Sequence, residues 1–314
     1  MCGIYGRRTG RAPLPSAAYD EPGSVTDSAM DMPSASVIGL LHPGEMGAAV
    51  GRCLTDAGHV VLWASQGRGP ETAARARAAS LEDVGTTDEL AGRAEIVLSI
   101  CPPHTALDVA WAVQGFGGLF VDANAISPAT AREVAQLVED GGAAYVDGGI
   151  IGLPPTTPGS TRLYLSGPQA ETVRGLFDGT ALDARVVAGG TWSASAVKMA
   201  YAAWTKGTSA LLLAVRALAR AEGVEDTLLD EWKLSQPSLA DRSRGSARSA
   251  TVKGWRWVAE MEEIAATMAG AGLPDGFHQA AAEIFRRAPE ARAGTSSGEE
   301  VDRVLAALTG EGRE

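Results

Sequence analysis

One lysine lies in a stretch of sequence where a charged side chain is costly unless it has a task. Lys198 is surrounded by small and apolar residues from Ser193 to Tyr201. Burial of an ammonium group is unfavourable, and desolvation would lower its pKa towards neutral pH, as a general acid and base requires. The alternative is an ordinary lysine whose side chain reaches solvent. Lys198 is therefore our candidate for proton transfer, and the hydroxyl of Tyr201 is a second.

A turn between two regular patterns could hold phosphate groups. The apolar strand pattern of Ala35–Leu41 is followed by His42–Gly47 and a helical pattern over Glu45–Ala57. Gly44 and Gly47 match two of the three glycines of G-x-G-x-x-G, and His42 stands where the first is expected. Gly44 would let a pyrophosphate approach the backbone, and the helix N-terminus attracts anions. The alternative is a tight turn without a ligand.

The sequence after the next predicted strand, His59–Trp63, favours NADP over NAD. An acidic residue there would bind the ribose hydroxyls of NAD, but no carboxylate comes before Glu71. Ser65 could donate a hydrogen bond, and the guanidinium of Arg68 could pair with a 2′-phosphate. The alternative is that Arg68 is a solvated loop residue.

Alternating strands and helices are predicted to form the scaffold that brings these residues together. Short apolar segments predict further strands, with helix-length segments between most of them, at Ile96–Ile100, Leu119–Asp122, Ala144–Asp147, Arg162–Ser166 and Arg185–Val187. Strands that alternate with helices form a mainly parallel sheet. Beyond residue 188 the pattern becomes helical, over Ser193–Gly223, Ser249–Met268 and Pro274–Arg287.

The predicted fold is α/β, a Rossmann doubly wound parallel sheet followed by an all-α C-terminal domain. We expect a disordered N-terminal tail over 1–33, a dinucleotide-binding domain over 34–188, a helical substrate and dimerisation domain over 189–290, and a C-terminal tail with a short helix over 291–314. In the helical part we expect Glu260, Glu262 and Glu263 on a solvated face, and Arg242, Arg244 and Arg248 in a connecting loop rather than in a ligand-facing basic cluster.

The charge and hydrophobicity of the chain limit the kinds of partner that it could bind. The chain has 314 residues, 45% of them hydrophobic, and a net charge of −11, which disfavours nucleic acids and anionic membranes. Its apolar runs are too short for a transmembrane helix. Cys2, Cys53 and Cys101 show no metal-binding or disulfide spacing, so we expect no metal and a cytoplasmic protein.

Four segments in this order resemble the superfamily of beta-hydroxyacid dehydrogenases and 6-phosphogluconate dehydrogenases. They are the Gly44–Gly47 turn, Asp122–Pro128 after a strand, the Asp147–Gly152 loop, and Lys198. The similarity covers about residues 35–287 and is greatest to a branch with a divergent helical C-terminal domain. Imine reductases share this architecture, so the resemblance implies an NAD(P)-dependent oxidoreductase without fixing the reaction.

The resemblance also implies roles for individual residues. Lys198 would exchange a proton with the oxygen at the reacting carbon, and Gly148–Gly152 would bind a substrate carboxylate through backbone N–H groups. Asn124 and Ser127 would lie near nicotinamide and substrate, or else only cap the following helix. Ile151 replaces a serine of many relatives, which favours a larger or more apolar substrate. In this superfamily the helical domains of two subunits interlock, so a homodimer is expected.

The resulting hypothesis is an NADP-dependent oxidoreductase that transfers hydride between nicotinamide and a carbonyl or hydroxyl carbon. Two alternatives stay open: an imine reductase acting on C=N, and a non-catalytic NADPH-binding sensor. The residues predicted to contact the cofactor are His42, Pro43, Gly44, Glu45, Met46, Ser65, Arg68, Cys101, Pro102, Pro103 and Asn124. Those predicted to contact the substrate are Asn124, Ser127, Gly148, Gly149, Ile151, Lys198 and Tyr201.

Overall fold

The computed structural model describes residues 35–292 and 294–310. The N-terminal tail that we predict for residues 1–33 lies outside these ranges, as do the last four residues of the chain. No helix within the described ranges is both long enough and apolar enough to cross a lipid bilayer.

A single mixed sheet organises the first half of the described chain. Its strands are β1 (Val37–Leu41), β2 (Val60–Trp63), β3 (Glu82–Asp83), β4 (Ile96–Ser99), β5 (Leu119–Asp122), β6 (Ala144–Ile151), β7 (Thr161–Ser166) and β8 (Leu182–Val186). They lie in the order β3-β2-β1-β4-β5-β6-β7-β8, and every neighbouring pair is parallel except β6 and β7. The reversal between β3-β2-β1 and β4 opens a crevice at the carboxyl ends of β1 and β4, where ligands bind in such sheets.

Helices cover both faces of this sheet. They are α1 (Glu45–Asp56), α2 (Pro70–Ala78), α3 (Thr87–Arg93), α4 (Ala106–Trp111), α5 (Pro128–Asp140) and α6 (Ala170–Gly175). Alternate residues of one strand enter different cores, since Ile38 and Leu40 of β1 join one apolar cluster and Leu41 joins another. Two-sided burial explains why these strands read as continuous apolar runs. The predicted Rossmann sheet is confirmed.

The second half of the described chain is helical, as predicted. Its helices are α7 (Ser193–Ala221), α8 (Glu225–Ser235), α9 (Leu239–Gly270), α10 (Gly276–Arg287) and α11 (Ser297–Thr309). One apolar cluster joins α7, α9, α10 and α11. The segment predicted as a C-terminal tail thus contributes a helix to this core, through Val301, Val304, Leu305 and Leu308.

Helix α9 begins ten residues earlier than the predicted start at Ser249. Arg242, Arg244 and Arg248 therefore lie on this helix, and the expectation of a connecting loop is wrong. The reason is that the first turns of α9 bury small residues, Ser243, Ser246 and Ala247, which give little apolar signal in the sequence.

Strand β6 is four residues longer than predicted, so the expected loop at Asp147–Gly152 is also wrong. Gly148 to Ile151 pair with β7 in antiparallel register. Both glycines are required by close neighbours: a Cβ on Gly148 would lie 2.7 Å from the carbonyl oxygen of Asp122, and one on Gly149 would lie 2.8 Å from the Cβ of Lys198. Their small size thus lets β5 and α7 approach the strand.

Candidate cofactor and active site

The turn between β1 and α1 keeps the backbone shape of a dinucleotide-binding turn although its first glycine is missing. His42 adopts a φ of 68°, in the left-handed region that glycine favours. The amide of Gly44 donates to the carbonyl oxygen of His42 at 2.7 Å. A Cβ on Gly47 would lie 2.5 Å from that same oxygen, so the turn tolerates only glycine there.

A cavity of about 530 Å³ lies between this turn and the helical half. Its walls come from the N-terminus of α1, the segments after β2, β4, β5 and β6, and from helices α7 and α9. Ten residues that the sequence predicted for the site line it: His42, Gly44, Glu45, Met46, Arg68, Cys101, Pro102, Pro103, Asn124 and Lys198.

A second cavity of about 270 Å³ lies on the other side of the turn. It is lined by Ala64 after β2, by Thr105, and by Asp108 and Val109 of α4, among others. His42 and Arg68 line both cavities. The two spaces are therefore adjacent at these side chains.

Two residues predicted to contact the cofactor lie outside the linings of both cavities. Pro43 is buried, and its carbonyl oxygen accepts a hydrogen bond from Nε of Arg75 at 3.4 Å. The carbonyl oxygen of Ser65 accepts from the amide of Arg68 at 3.0 Å. Ser65 therefore contacts Arg68, which lines both cavities, whereas Pro43 is bonded to Arg75, which lines neither.

Lys198 projects from the second turn of α7 into the larger cavity. Its Nζ donates to the carbonyl oxygen of Ile150 at 2.8 Å. Burial lowers the pKa of Lys198 to about 8, in the direction expected from the sequence. The start of this helix is fixed by buried polar groups, because the amide of Ser195 donates to Oδ2 of Asp147 at 2.9 Å and the amide of Ala194 donates to Oγ of Ser166 at 2.9 Å.

Asn124 lines the cavity, but its amide group is bonded within the protein. Oδ1 accepts from the amide of Cys101 at 2.6 Å, and Nδ2 donates to Oγ of Ser99 at 3.0 Å. The side chain thereby joins the carboxyl ends of β4 and β5 and holds the Cys101–Pro103 segment. Burial raises the pKa of Cys101 to about 11, which agrees with an inert thiol.

Ser127 takes the alternative role that the sequence left open, that of a helix cap. It is fully buried, and its hydroxyl accepts from the amide of Thr130 at 3.1 Å. Oε2 of Glu263, on α9, accepts from the amide of Ser127 at 2.7 Å and from the hydroxyl of Thr130 at 2.8 Å. The expectation that Glu263 lies on a solvated face is wrong, because this carboxylate caps α5.

The remaining residues predicted to contact the substrate do not reach the cavity. Gly148, Gly149 and Ile151 are held in β6 and are absent from its lining, while Ile150 lines it. Strand alternation separates Ile150 from Ile151, which points to the opposite face. The side chain of Tyr201 is also absent from the lining, and the residue is 47% exposed.

Sequence reasoning missed a basic wall on the helical side of the cavity. Lys206 of α7 and Lys253 and Arg256 of α9 line it beside Lys198. Lys206 forms an ion pair with Glu260, and burial, followed by the charges of Lys198, Arg256 and Lys253, holds the pKa of Lys206 well below its usual range. The expectations of no ligand-facing basic cluster and of a solvated Glu260 are wrong.

Two tryptophans complete this wall. Trp255 and Trp257 line the cavity, and the guanidinium of Arg256 lies 5.4 Å from the centre of the Trp255 ring. The segment Lys253–Trp257 places two cations and two aromatic rings within five residues, which was the signal available in the sequence. The segment forms part of a basic cavity wall only because α7 adds Lys198 and Lys206, which lie 47 or more residues earlier in the chain.

Comparisons with known proteins agree with this architecture. Residues 35–181 match the family of the NAD binding domain of 6-phosphogluconate dehydrogenase, and residues 219–288 match a domain family of unknown function, DUF1932. No curated protein matches the sequence at a significant level.

Several solved structures share the fold. A conserved protein of unknown function, described as structurally similar to 3-hydroxyacid dehydrogenases, is 25% identical over 80% of this chain and 97% of its own, with a TM-score of 0.59. The 3-hydroxyisobutyrate dehydrogenase of Mycobacterium tuberculosis, solved with L-serine, is 18% identical over 87% and 99%, with a TM-score of 0.64. The reductive aminase of Aspergillus terreus, solved with NADPH and ethyl levulinate, is 20% identical over 85% and 99%, with a TM-score of 0.51.

Proposed function

We propose that this chain, whose residues 35–181 match the family of the NAD binding domain of 6-phosphogluconate dehydrogenase, is an NADP-dependent oxidoreductase. It transfers hydride between the nicotinamide and a carbonyl or hydroxyl carbon of an acid. The observation that carries this proposal is the position of the half-buried Lys198 in the same cavity as the phosphate-binding turn.

The two adjacent cavities suit a dinucleotide. The N-terminus of α1 and the Gly44–Gly47 turn would hold the pyrophosphate, and the smaller cavity would hold the adenosine. Arg68 follows β2, where the adenosine ribose of a dinucleotide lies in this fold, and this supports its pairing with a 2′-phosphate. Bound nicotinamide supplies or accepts the hydride.

Lys198 donates or accepts the proton that accompanies hydride transfer. In the reductive direction its ammonium group donates a proton to the carbonyl oxygen of the substrate, and in the oxidative direction its neutral amine removes one from the hydroxyl. The carbonyl oxygen of Ile150 holds Nζ in place before substrate arrives. A pKa of about 8 leaves both protonation states accessible near neutral pH.

The basic wall indicates the charge of the substrate. Lys198, Lys253 and Arg256 line the cavity beside Lys206, whose charge is paired with that of Glu260 on α9. Such a wall attracts an anion and repels an amine. This observation favours a hydroxy or keto acid over the amine-derived substrate of an imine reductase.

Oxidation of NADPH by a panel of keto acids, neutral ketones and cyclic imines tests the reaction. We expect turnover with keto acids, followed as loss of the nicotinamide absorbance. Turnover of cyclic imines alone would replace the proposal with imine reduction. Tight NADPH binding without turnover of any compound would support the non-catalytic sensor instead.

Comparison of two arginine variants tests the choice of cofactor. Arg68→Ala should weaken NADPH binding by about tenfold or more, the value of one lost charge-assisted contact, and leave NADH binding little changed. Arg77→Ala, an exposed arginine on α2, is the matched control and should alter neither. Equal losses for both nucleotides in Arg68→Ala would contradict the 2′-phosphate contact.

A further inference from the structure

His42 shows features that the formation of a phosphate-binding turn does not require. It is a non-glycine residue at a φ of 68°, where glycine or asparagine would be less strained. Its Nδ1 atom is buried without a hydrogen-bond partner among residues 35–292 and 294–310. Strain and an unpartnered polar atom at one residue are retained in proteins where that residue has a task.

The position of His42 indicates what that task is. His42 and Arg68 are the two side chains that the larger and the smaller cavity share. A dinucleotide with one nucleotide in each cavity has to pass these two residues. The groups of the ligand that lie at this junction are its phosphates, since they join the two halves of the molecule.

The electrostatic surroundings keep the imidazole neutral before the ligand binds. Burial, and after it the positive charge of Arg68, lowers the pKa of His42 to about 4. The other titratable or charged groups that line the two cavities are Glu45 of α1, Cys101 after β4, Asp108 of α4, Lys198 and Lys206 of α7, and Lys253, Arg256 and Glu260 of α9. Arg68 is the charged group that acts on His42.

We propose that the imidazole of His42 binds a phosphate group of the dinucleotide and takes up a proton from solvent as it does so. This inference rests on the proposed function, because it needs a dinucleotide in the two cavities. The phosphate charge offsets that of Arg68 and stabilises the imidazolium, which donates to a phosphate oxygen. One proton is gained for each nucleotide bound at this residue, and no bond is formed or broken in the ligand.

The sign of the pH effect follows from this uptake. The bound state holds the extra proton, so the affinity rises as pH falls through the pKa of His42 in the complex. The rise is at most about tenfold per pH unit, the limit for one proton, and it ends near the pKa of about 4 in the ligand-free protein.

Calorimetric titration with NADPH in two buffers of different ionisation enthalpy measures the proton uptake directly. At pH 6 to 7 the wild-type protein should take up more protons, by a substantial fraction of one, than His42→Asn, because asparagine tolerates the same backbone conformation without titrating. The 2′-phosphate of NADPH, with a second pKa of about 6, can also take up a proton, but it contributes in the experiments with wild type and with His42→Asn alike. His59→Gln, altered at the opposite end of the sheet, should behave as wild type.

A spectroscopic readout makes the test independent of affinity. The chain has four histidines, so the ring signals of His42 are identified by their loss in His42→Asn. In saturating NADPH the ring of His42 should titrate at clearly higher pH than in the ligand-free protein. If His42→Asn is poorly folded, His42→Gly restores the glycine of the turn and replaces it.

The outcomes separate this inference from the function on which it rests. NADPH binding with equal proton uptake in wild type and variant, or an unchanged titration of His42 in the complex, overturns the role of His42 and leaves the oxidoreductase intact. Failure of every variant and of wild type to bind NADPH or NADH overturns both.

Discussion

Lys198 is half-buried, and its ammonium group donates a hydrogen bond to the carbonyl oxygen of Ile150. Burial disfavours the charged form and lowers the pKa of Lys198 to about 8. As pH rises through this value, the reductive rate should fall because the proton donor is lost, and the oxidative rate should rise because the base is formed. Rates of hydride transfer measured in both directions between pH 6 and 10 test this. A pH dependence of the same sign in both directions would contradict the assignment.

Site residues whose surroundings are local in the sequence could be predicted, and those that depend on contacts between distant helices could not. The apolar surroundings of Lys198 are local, so its burial could be inferred from its neighbours in the chain. Lys206 and Glu260 meet only because α7 packs on α9, and they are separated by 54 residues. Similarly, Glu263 caps α5 from 136 residues away, at a distance where residue spacing carries no information.

At the scale of elements, Gly149 sets the distance between β6 and α7. Its alanine variant would place a Cβ 2.8 Å from the Cβ of Lys198 and 3.0 Å from the carbonyl oxygen of Ala194. Gly149→Ala should therefore destabilise the protein by about 1 to 3 kcal/mol, as overpacking does, and lower kcat by displacing Lys198. Urea unfolding measures the stability, with Gly92→Ala on α3 as the control that has open space around it. Equal stability of the two variants would contradict close packing at Gly149.

Glu263 connects two elements, since its carboxylate accepts from the amide of Ser127 and the hydroxyl of Thr130 at the start of α5. Glu263→Gln should cost about 1 to 2 kcal/mol, the range of a lost charged helix cap. The neighbouring Glu262→Gln breaks an exposed ion pair with Arg286 and should cost at most about 1 kcal/mol. Thermal unfolding of both variants tests the cap, and a smaller loss for Glu263→Gln than for Glu262→Gln would contradict it.

The strands and helices with strong apolar periodicity were predictable, and those that depend on close packing of small residues were not. β1, α1 and β5 have their predicted positions within two residues. We predicted that β6 ends at Asp147 and that a loop follows, as the family resemblance implies, yet Gly148 and Gly149 continue the strand beneath α7. The first turns of α9 were missed because they bury serine and alanine.

In the whole molecule, α7 carries an apolar stripe that residues 35–292 and 294–310 leave exposed. Trp204, Leu211 and Leu218 recur every seven residues with exposures of 68%, 47% and 63%, and Tyr201 adds 47%. A contiguous apolar face of this kind marks an association surface. We propose a homodimer through this stripe, so light scattering should give twice the 32.3 kDa mass of the chain.

The double variant Trp204→Glu, Leu211→Glu tests which surface forms the dimer. It should be monomeric at micromolar concentration, because two buried charges oppose association. Trp111→Glu, altered at a tryptophan on α4 that is 61% exposed, is the matched control and should stay dimeric. A wild-type protein that is monomeric, or a double variant that remains dimeric, would contradict the proposed interface.

The most direct measurement is single-turnover oxidation of bound NADPH by a reactive keto acid, compared between wild type and Lys198→Met. The variant should bind NADPH with unchanged affinity and transfer hydride about 10² to 10⁴ times more slowly, the usual loss on removing a general acid. Lys233→Met, at an exposed lysine on α8, should react as wild type. Hydride transfer at the wild-type rate in Lys198→Met would contradict the proposed mechanism, because proton transfer by this lysine would then not be required.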